Sequence, residues 1–243
     1  MTTYVIGDIH GMYKLLFDLA NQIKDDAKNT SGLHKIIFLG DYVDRGPDSV
    51  GVVDFVKGPF FKKLGFDVVA LMGNHEEMML AYCNVKGFYN GEVWLPNGGT
   101  ATVNSYGGSV HDIYYDHLEW MRKLPLFHVD KKFFFVHAGV NPMKGIHEQR
   151  RNDLLWIRQP WLSYRGDFWG LKVVHGHTPT TFLNRSTDPD VQNNSVAIDT
   201  GSSHSGVLTA MKIPDTNNPD DFSFIQAKDK IIYNQYYARY IAR

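Results

Sequence analysis

The chain has 243 residues, of which 43% are hydrophobic and 21% charged, and its net charge is −1. These values are typical of one large or two small folded domains and exclude a disordered chain. The near-zero charge argues against stable binding to a long nucleic acid, because such proteins usually carry a basic excess. Cys83 is the only cysteine, which excludes an internal disulfide and a four-cysteine zinc site. The sequence has no run of about 18 apolar residues and no recognisable signal peptide, so we expect a cytoplasmic protein that does not span a membrane.

The first third of the chain predicts three successive units of strand, turn and helix. Short runs rich in β-branched residues predict the strands, and apolar residues at helical spacing predict the helices. The strands are predicted over 3–6, 35–39 and 66–71, and the helices over 12–23, 48–56 and 76–82, with Asp48 as an N-cap. Strands that alternate with helices favour a layered α/β fold with partly parallel strands.

The remaining elements follow a less regular order. Residues 84–106 are rich in Gly and Asn and predict loops with a short helix, and 114–124 predict a helix. A hairpin is predicted from 126–130 and 133–136, further strands over 172–175, 195–198 and 207–213, and loops over 187–194 and 214–221. The sequence contains no repeat and no long linker. We therefore expect one domain over 1–243, with 84–124 as a helical and loop insertion that flanks the functional site.

Five of the predicted strands end in turns that combine glycine with residues of the metal-ligand type. These turns are 7–11 (GDIHG), 40–46 (GDYVDRG), 73–76 (GNHE), 137–139 (HAG) and 175–178 (HGHT). Side chains at the carboxyl ends of strands in an α/β sheet converge on one crevice. A single turn of this kind has little meaning, but five such turns together indicate a shared site.

The candidate ligands in these turns form a mixed set of oxygen and nitrogen donors. They are Asp8, His10, Asp41, Asn74, His137 and His177. The set is large enough for two cations and suits manganese, iron, zinc or nickel. Two metal ions about 3.5–4 Å apart stabilise the attacking and leaving oxygens of a phosphoryl displacement and generate hydroxide at neutral pH. The pattern therefore predicts a phosphoryl-transfer site.

In their order along the chain, these turns resemble those of the metallo-dependent phosphatase superfamily, and within it the phosphoprotein phosphatase family. The stretches 94–99 (WLPNGG), 155–158 (LWIR) and 198–201 (IDTG) resemble the phage lambda and bacterial branch of serine/threonine protein phosphatases. The resemblance extends from residue 4 to residue 213. It implies a four-layer αββα sandwich with two mixed central β-sheets, of the metallophosphatase type.

The resemblance also implies a role for each residue that matches the motifs. Asp8, His10 and Asp41 would bind one metal, and Asp41 would bridge to a second metal that Asn74, His137 and His177 also bind. His75 would protonate the leaving oxygen, and Asp44 would keep His75 charged and oriented. Arg45 and Arg158 would bind the phosphate with Asn74. The cofactors would be two divalent ions, with Mn²⁺ favoured and iron or zinc also suitable.

The function predicted from this resemblance is hydrolysis of phosphomonoesters by direct attack of a metal-bridging hydroxide. The substrates would be protein phosphoserine and phosphothreonine, with phosphotyrosine as a further substrate. The motifs recognise a phosphoryl group and not its substituent, so symmetrical dinucleoside tetraphosphates and cyclic nucleotides remain alternative substrates. A catalytically inactive metal-binding scaffold is the third hypothesis. The sequence does not indicate an oligomeric state.

Other histidines and aromatic residues have weaker support. His175 is adjacent to the last motif, but the family pattern begins at Gly176, so we do not assign it as a ligand. His204 is in the loop after IDTG and could approach the site. The tyrosine-rich tail over 233–240 could pack on the domain or form a subunit contact.

Overall fold

In the computed structural model, which describes residues 1–216 and 218–240, two mixed β-sheets of five strands each form the centre of the fold. The strands are β1 (Thr2–Ile6), β2 (His34–Phe38), β3 (Phe66–Ala70), β4 (Phe127–Asp130), β5 (Phe133–Val136), β6 (Lys172–His175), β7 (Asp190–Val191), β8 (Ser195–Ala197), β9 (Val207–Ile213) and β10 (Ser223–Lys228). Their order is β10-β9-β1-β2-β3 in the first sheet and β4-β5-β6-β8-β7 in the second. Strands β1, β2 and β3 are parallel to one another, as are β5, β6 and β8.

Helices cover the outer faces of the two sheets. They are α1 (Tyr13–Ala27), α2 (Ser49–Lys57), α3 (Phe60–Lys63), α4 (Asn74–Tyr82), α5 (Thr100–Ser105), α6 (Tyr115–Met121), α7 (Arg151–Trp156), α8 (Thr180–Leu183), α9 (Ser202–Ser205) and α10 (Lys230–Tyr240). The Asp48 side chain accepts a hydrogen bond of 2.8 Å from the Gly51 amide, which makes Asp48 the N-cap of α2 as predicted. None of the helices over 1–216 and 218–240 is long and apolar enough to cross a membrane.

Alternating side chains explain how each sheet is buried on both faces. In β1, Val5 packs between the two sheets, whereas Tyr4 and Ile6 pack against the helices of the first sheet. In β5, Phe133 and Phe135 face the space between the sheets, and Phe134 and Val136 face the outer layer of the second sheet. Successive residues of a strand point to opposite faces, so a continuous apolar run is what a sheet buried on both sides requires. The predicted four-layer αββα sandwich is confirmed.

Most predicted elements are present within a few residues, including the antiparallel hairpin of β4 and β5. The expectation of a loop over 187–194 was wrong at Asp190–Val191, which form β7 at the edge of the second sheet. Two further elements, β10 and α10, were not expected from the sequence. β10 is an edge strand in which only Ala227 is buried, and α10 has one buried residue, Tyr236, so neither shows a clear apolar period. Asn217, in the predicted loop over 214–221, lies outside the described residues.

Candidate functional site

The five motif turns meet where the carboxyl ends of the parallel strands of both sheets come together. Asp8 and Asp41 follow β1 and β2, and Asn74 begins α4 after β3. His137 and His177 follow β5 and β6 of the second sheet. Two hydrogen bonds join the sheets at this point: the His177 amide donates to Asp8 Oδ2 at 3.0 Å, and His137 Nδ1 donates to the Leu39 carbonyl at 3.0 Å. The structure thus brings together side chains that are up to 169 positions apart in the sequence.

Asp41 is central in this cluster, because each of its carboxylate oxygens faces a different histidine. Asp41 Oδ1 lies 3.4 Å from His137 Nε2, and Asp41 Oδ2 lies 3.4 Å from His10 Nε2. Asn74 Oδ1 lies 2.8 Å from His137 Nε2 and 3.0 Å from His177 Nδ1. The donor atoms therefore form two groups that share Asp41, which is the arrangement that a dinuclear site requires.

The chemistry of these donors fits cations. Among the described residues, Asp8 Oδ1 and His177 Nε2 are buried without a hydrogen-bond partner. Burial, followed by the charges of Asp199 and Asp41, raises the pKa of Asp8 well above its usual value. Burial lowers the pKa of His10 and of His177 well below the usual value, which keeps both imidazoles neutral. Neutral imidazoles and crowded carboxylates are suitable ligands for a divalent ion, whose charge would stabilise ionised Asp8.

Close approach of the turns explains two of the motif glycines. A Cβ atom at Gly176 would lie 1.9 Å from Asp8 Oδ1, and one at Gly73 would lie 2.1 Å from Asp41 Oδ1. Both distances are far shorter than a van der Waals contact, so only glycine allows the carboxylates to occupy these positions.

Five site residues other than glycine have a left-handed backbone conformation. The φ angles are 48° at His10, 53° at Asp41, 75° at Asp44, 69° at Arg45 and 65° at His177. This region is uncommon for residues with a side chain, and each instance stores strain that the surrounding packing must hold. Such clustering of strained residues is typical of functional sites.

His75 and Asp44 form a buried pair beside this cluster. His75 Nδ1 donates to Asp44 Oδ2 at 2.6 Å. Burial alone would lower the pKa of His75, but the negative charges of Asp41 and Asp44 outweigh it, so the pKa is raised. The pair is therefore suited to hold a proton on the imidazole and to present it from Nε2.

Residues from the 84–124 segment surround Asp44. The Asp44 side chain is fully buried and accepts hydrogen bonds from Trp94 Nε1 at 3.0 Å and from Thr102 Oγ1 at 2.6 Å. The Arg45 amide donates to the Gly98 carbonyl at 3.2 Å. Trp94 and Thr102 had no predicted role, although Trp94 begins the WLPNGG stretch.

The two predicted phosphate-binding arginines lie on different sides of the cluster and are exposed. Arg45 Nη1 lies 2.5 Å from His10 Nε2, and Arg45 Nη2 lies 3.1 Å from His75 Nε2. Arg158 acts on the other side. Burial of His137 and His177 is the main cause of their lowered pKa, and the positive charge of Arg158 lowers it further. Exposed guanidinium groups on both sides of a buried donor set can bind an anion that enters from solvent.

Three buried acids near the site were missed or left without a role. Asp199, in the IDTG stretch, lies beside Asp8, and burial raises its pKa to about 6. Glu76 accepts from the amides of Asp41 and Tyr42 at 2.8 Å and of Gly73 at 2.9 Å, and burial raises its pKa to about 8. Glu77 accepts from Arg151 and Trp156 of α7. In the sequence, only their position inside or beside a motif indicated that these acids could belong to the site. Their burial could not be predicted, because it depends on the fold.

Comparisons with known proteins agree with this geometry. The family model described as calcineurin-like phosphoesterase matches residues 1–208. The asymmetrical bis(5'-nucleosyl)-tetraphosphatase PrpE of Oceanobacillus iheyensis is 29% identical over 239 residues, which cover 87% of this chain and 88% of the relative. The symmetrical bis(5'-nucleosyl)-tetraphosphatase of Buchnera aphidicola subsp. Baizongia pistaciae is 35% identical over 146 residues, which cover 58% of this chain and 45% of that relative.

A solved structure shares the architecture. A crystal structure assigned provisionally to the diadenosine tetraphosphatases superposes with a TM-score of 0.64 at 20% identity, and the match covers 94% of each chain. At this identity the likeness shows the fold alone. The family match, in contrast, covers most of the sequence and all five motif turns. The chain therefore belongs to the calcineurin-like phosphoesterase family, within the metallo-dependent phosphatase superfamily, and is a metal-dependent phosphatase.

Proposed function

We propose that this chain hydrolyses bis(5'-nucleosyl) tetraphosphates and cleaves them into unequal parts. The observation that carries the proposal is the similarity to an asymmetrical tetraphosphatase along 87% of the chain. The protein phosphatase function predicted from the motifs has less support, because relatives of the chain over most of its length bear tetraphosphatase names. The site geometry accepts either substrate, since it addresses the phosphoryl group that both share.

We propose two divalent ions as cofactors, with Mn²⁺ as the first choice and iron or zinc as alternatives. Asp8, His10 and Asp41 would hold one ion, and Asp41, Asn74, His137 and His177 would hold the other. When bound, such ions neutralise the phosphate charge and lower the pKa of a bound water. Support comes from the two donor groups that share Asp41 and from the buried, unpartnered oxygen of Asp8.

The chain's own residues would bind the phosphate and supply the proton. Arg45 and Arg158 would bind non-bridging oxygens from the two sides of the site. Asn74 directs Oδ1 at the two histidines, which leaves its Nδ2 amide as a donor to the phosphate. Hydrolysis breaks the bond between phosphorus and the leaving oxygen, and that oxygen takes the proton from His75 Nε2. Asp44 is the positioning residue for His75, because it bonds the opposite ring nitrogen.

The insertion would complete the site. We propose that 84–124 form one wall of the crevice within a single domain. Trp94 and Thr102 donate hydrogen bonds to Asp44, and the Gly98 carbonyl accepts one from the Arg45 amide, which supports this role. We keep the cytoplasm as the proposed location, as predicted from the sequence.

The product pattern tests the proposed function. The Mn²⁺-loaded protein is incubated with bis(5'-adenosyl) tetraphosphate, and the nucleotides are separated by anion exchange. Equal amounts of adenosine mono- and triphosphate are expected. Adenosine diphosphate alone would show symmetrical cleavage instead. Symmetrical cleavage is the second candidate, because the chain is 35% identical to a symmetrical enzyme over 146 residues. A phosphoserine peptide, p-nitrophenyl phosphate and a 2′,3′-cyclic nucleotide are assayed in parallel. A higher kcat/KM for the phosphopeptide than for the tetraphosphate would refute the proposal.

A further inference from the structure

A cavity of about 650 Å³ lies between the carboxyl-terminal helix α10 and the short helices α8 and α9. Its volume is in the range of small-ligand sites. None of its lining residues belongs to the predicted phosphate site. The side chains that matter most are Phe182, Arg185, His204, Tyr236, Arg239 and Tyr240.

The cavity is directly connected to the phosphate site through the chain. Helix α8 starts three positions after His177, and Phe182 is five positions after it, which limits their Cα separation to about 18 Å. Helix α9 starts three positions after Asp199. Hydrogen bonds tie these helices to the site turns: Ser202 Oγ donates to the Ile9 carbonyl at 2.9 Å, and the Thr180 amide donates to the Asp199 carbonyl at 2.8 Å.

The cavity combines aromatic faces with cations. The Phe182 side chain is 76% exposed, and its ring is nearly parallel to that of His204, with an interplanar angle of 8° and centroids 5.7 Å apart. His204 is held in place by a hydrogen bond of 2.9 Å between Nε2 and Thr181 Oγ1 and by edge contact with Tyr236. A large apolar ring that is exposed at the mouth of a cavity, on an ordered second ring, offers a stacking surface for a planar ligand.

Two arginines give the same cavity an affinity for anions. Arg185 and Arg239 are both exposed at its rim, and the Arg239 guanidinium lies 5.3 Å from the Tyr240 ring centroid. Guanidinium groups bind phosphate oxygens through paired donors, and they also stack on aromatic planes. A ligand that matches both features has a flat aromatic part joined to phosphates, which is the chemistry of a nucleotide.

We propose that this cavity binds the nucleoside at the far end of the substrate, that is, the one not attached to the attacked phosphorus. The base would stack on Phe182 and His204, and Arg185 and Arg239 would bind phosphates between the base and the phosphate site. This inference rests on the proposed function, because it assumes a substrate long enough to occupy both places. The cavity would then favour a dinucleoside polyphosphate over a short phosphomonoester.

Steady-state kinetics of rim variants test the proposal. Phe182→Ala should raise the KM for bis(5'-adenosyl) tetraphosphate by about tenfold, as expected for the loss of one base–aromatic stack. The kcat/KM for p-nitrophenyl phosphate, which is too short to reach the cavity, should not change. Phe182→Trp should restore the lower KM. Arg185→Ala combined with Arg239→Ala should also raise KM and weaken its dependence on salt.

Leu33→Ala is the matched control, because Leu33 is a similarly exposed apolar residue (72%) at the opposite end of the first sheet. It should behave as the wild type with both substrates. The inference is overturned if Phe182→Ala leaves the tetraphosphate KM unchanged, or if it lowers activity on both substrates equally.

A binding measurement separates this inference from the proposed function. Calorimetry on the metal-loaded protein gives Kd values for adenosine triphosphate and for inorganic triphosphate, which lacks the base. Phe182→Ala should weaken binding of the nucleotide by about tenfold and leave that of inorganic triphosphate unchanged. If the wild type does not cleave the tetraphosphate, the proposed function is wrong, and this pair of Kd values still decides the role of the cavity. Equal Kd values for wild type and variant would refute it.

Discussion

Replacement of Trp94 by Phe removes one hydrogen bond from Asp44 and keeps the buried ring. The Trp94 indole is fully buried, and Nε1 lies 3.0 Å from Asp44 Oδ1 and 3.1 Å from Oδ2. This donor helps to orient the carboxylate so that Oδ2 faces His75 Nδ1 at 2.6 Å. Without it, the Asp44 carboxylate is held only by Thr102 and His75. We expect His75 to lose orientation and, because the charge of Asp41 remains, to lose only part of the interactions that raise its pKa.

The structure sets the size of this effect. A hydrogen bond to a charged acceptor contributes about 1.5–3 kcal/mol. If this loss of free energy appears entirely as a higher barrier for the chemical step, kcat falls by about 10- to 100-fold, because 1.36 kcal/mol corresponds to a factor of ten. If the loss instead lowers the free energy of unfolding, Tm falls by about 3–12 °C for a chain of this length and kcat changes little.

Leaving groups of different basicity provide the assay. A strongly basic leaving oxygen needs the proton of His75 more than a weakly basic one does. The kcat of Trp94→Phe should therefore fall more for phenyl phosphate than for p-nitrophenyl phosphate. In addition, the alkaline limb of the kcat profile should move to lower pH, since a lower pKa of His75 means loss of its proton at lower pH.

Two comparisons control the interpretation. Trp169→Phe changes an indole that is 65% exposed and makes no hydrogen bond to Asp44, and it should be neutral. In an Asp44→Asn background, Trp94→Phe should have almost no further effect, because the two residues act through one interaction. An equal loss of kcat with both leaving groups, or a lower Tm with unchanged kcat, would refute the positioning role of Trp94.

The remaining predictions concern the proton donor, the metals and the cysteine. His75→Asn should lower kcat by about 10²- to 10⁴-fold while the metal content, measured by mass spectrometry, stays that of the wild type; an unchanged kcat would remove His75 from this role. Removal of metal by a chelator should abolish activity and lower Tm, because Asp8, Asp41 and Asp199 are then buried together without cations. Added Mn²⁺ should restore both the activity and the Tm. A Tm that does not respond to chelation would contradict the proposed ligand set. Burial raises the pKa of Cys83 to about 11. Alkylation of this thiol, followed by mass spectrometry, should therefore be slow at pH 8 and accelerate about tenfold per pH unit. Fast alkylation at pH 8 would disprove the raised pKa.

The favoured substrate changed from a phosphoprotein, as predicted from the motifs, to a dinucleoside tetraphosphate, and this change has a physical explanation. Asp8, Asp41, His75 and the arginines would surround the phosphoryl group of a substrate, and that group is the same in a phosphoprotein and in a dinucleotide. The motifs could therefore predict the reaction and not the group attached to the phosphate. The group attached to the phosphate would be recognised by surfaces farther away, and we propose those of α8, α9 and α10, which the motifs do not contain.

The sequence by itself determined the strand-end turns and the residues in them. A strand, a glycine turn and a polar ligand are consecutive in the chain, so local spacing is enough to predict that Asp8, Asp41 and Asn74 lie at one edge of a sheet. The layered α/β architecture also follows from the alternation of predicted strands and helices along the chain, and the structure confirms it.

Only the tertiary structure decided how the site is supported. Trp94 and Thr102 bond Asp44 across 50 and 58 residues, and Glu76 binds amides of a turn about 35 residues away. The edge strand β10 and the helix α10, which lines the cavity beside α8 and α9, were absent from the prediction for a related reason. Contacts of this kind depend on which surfaces pack together after the chain has folded, and neither residue spacing nor periodicity carries that information.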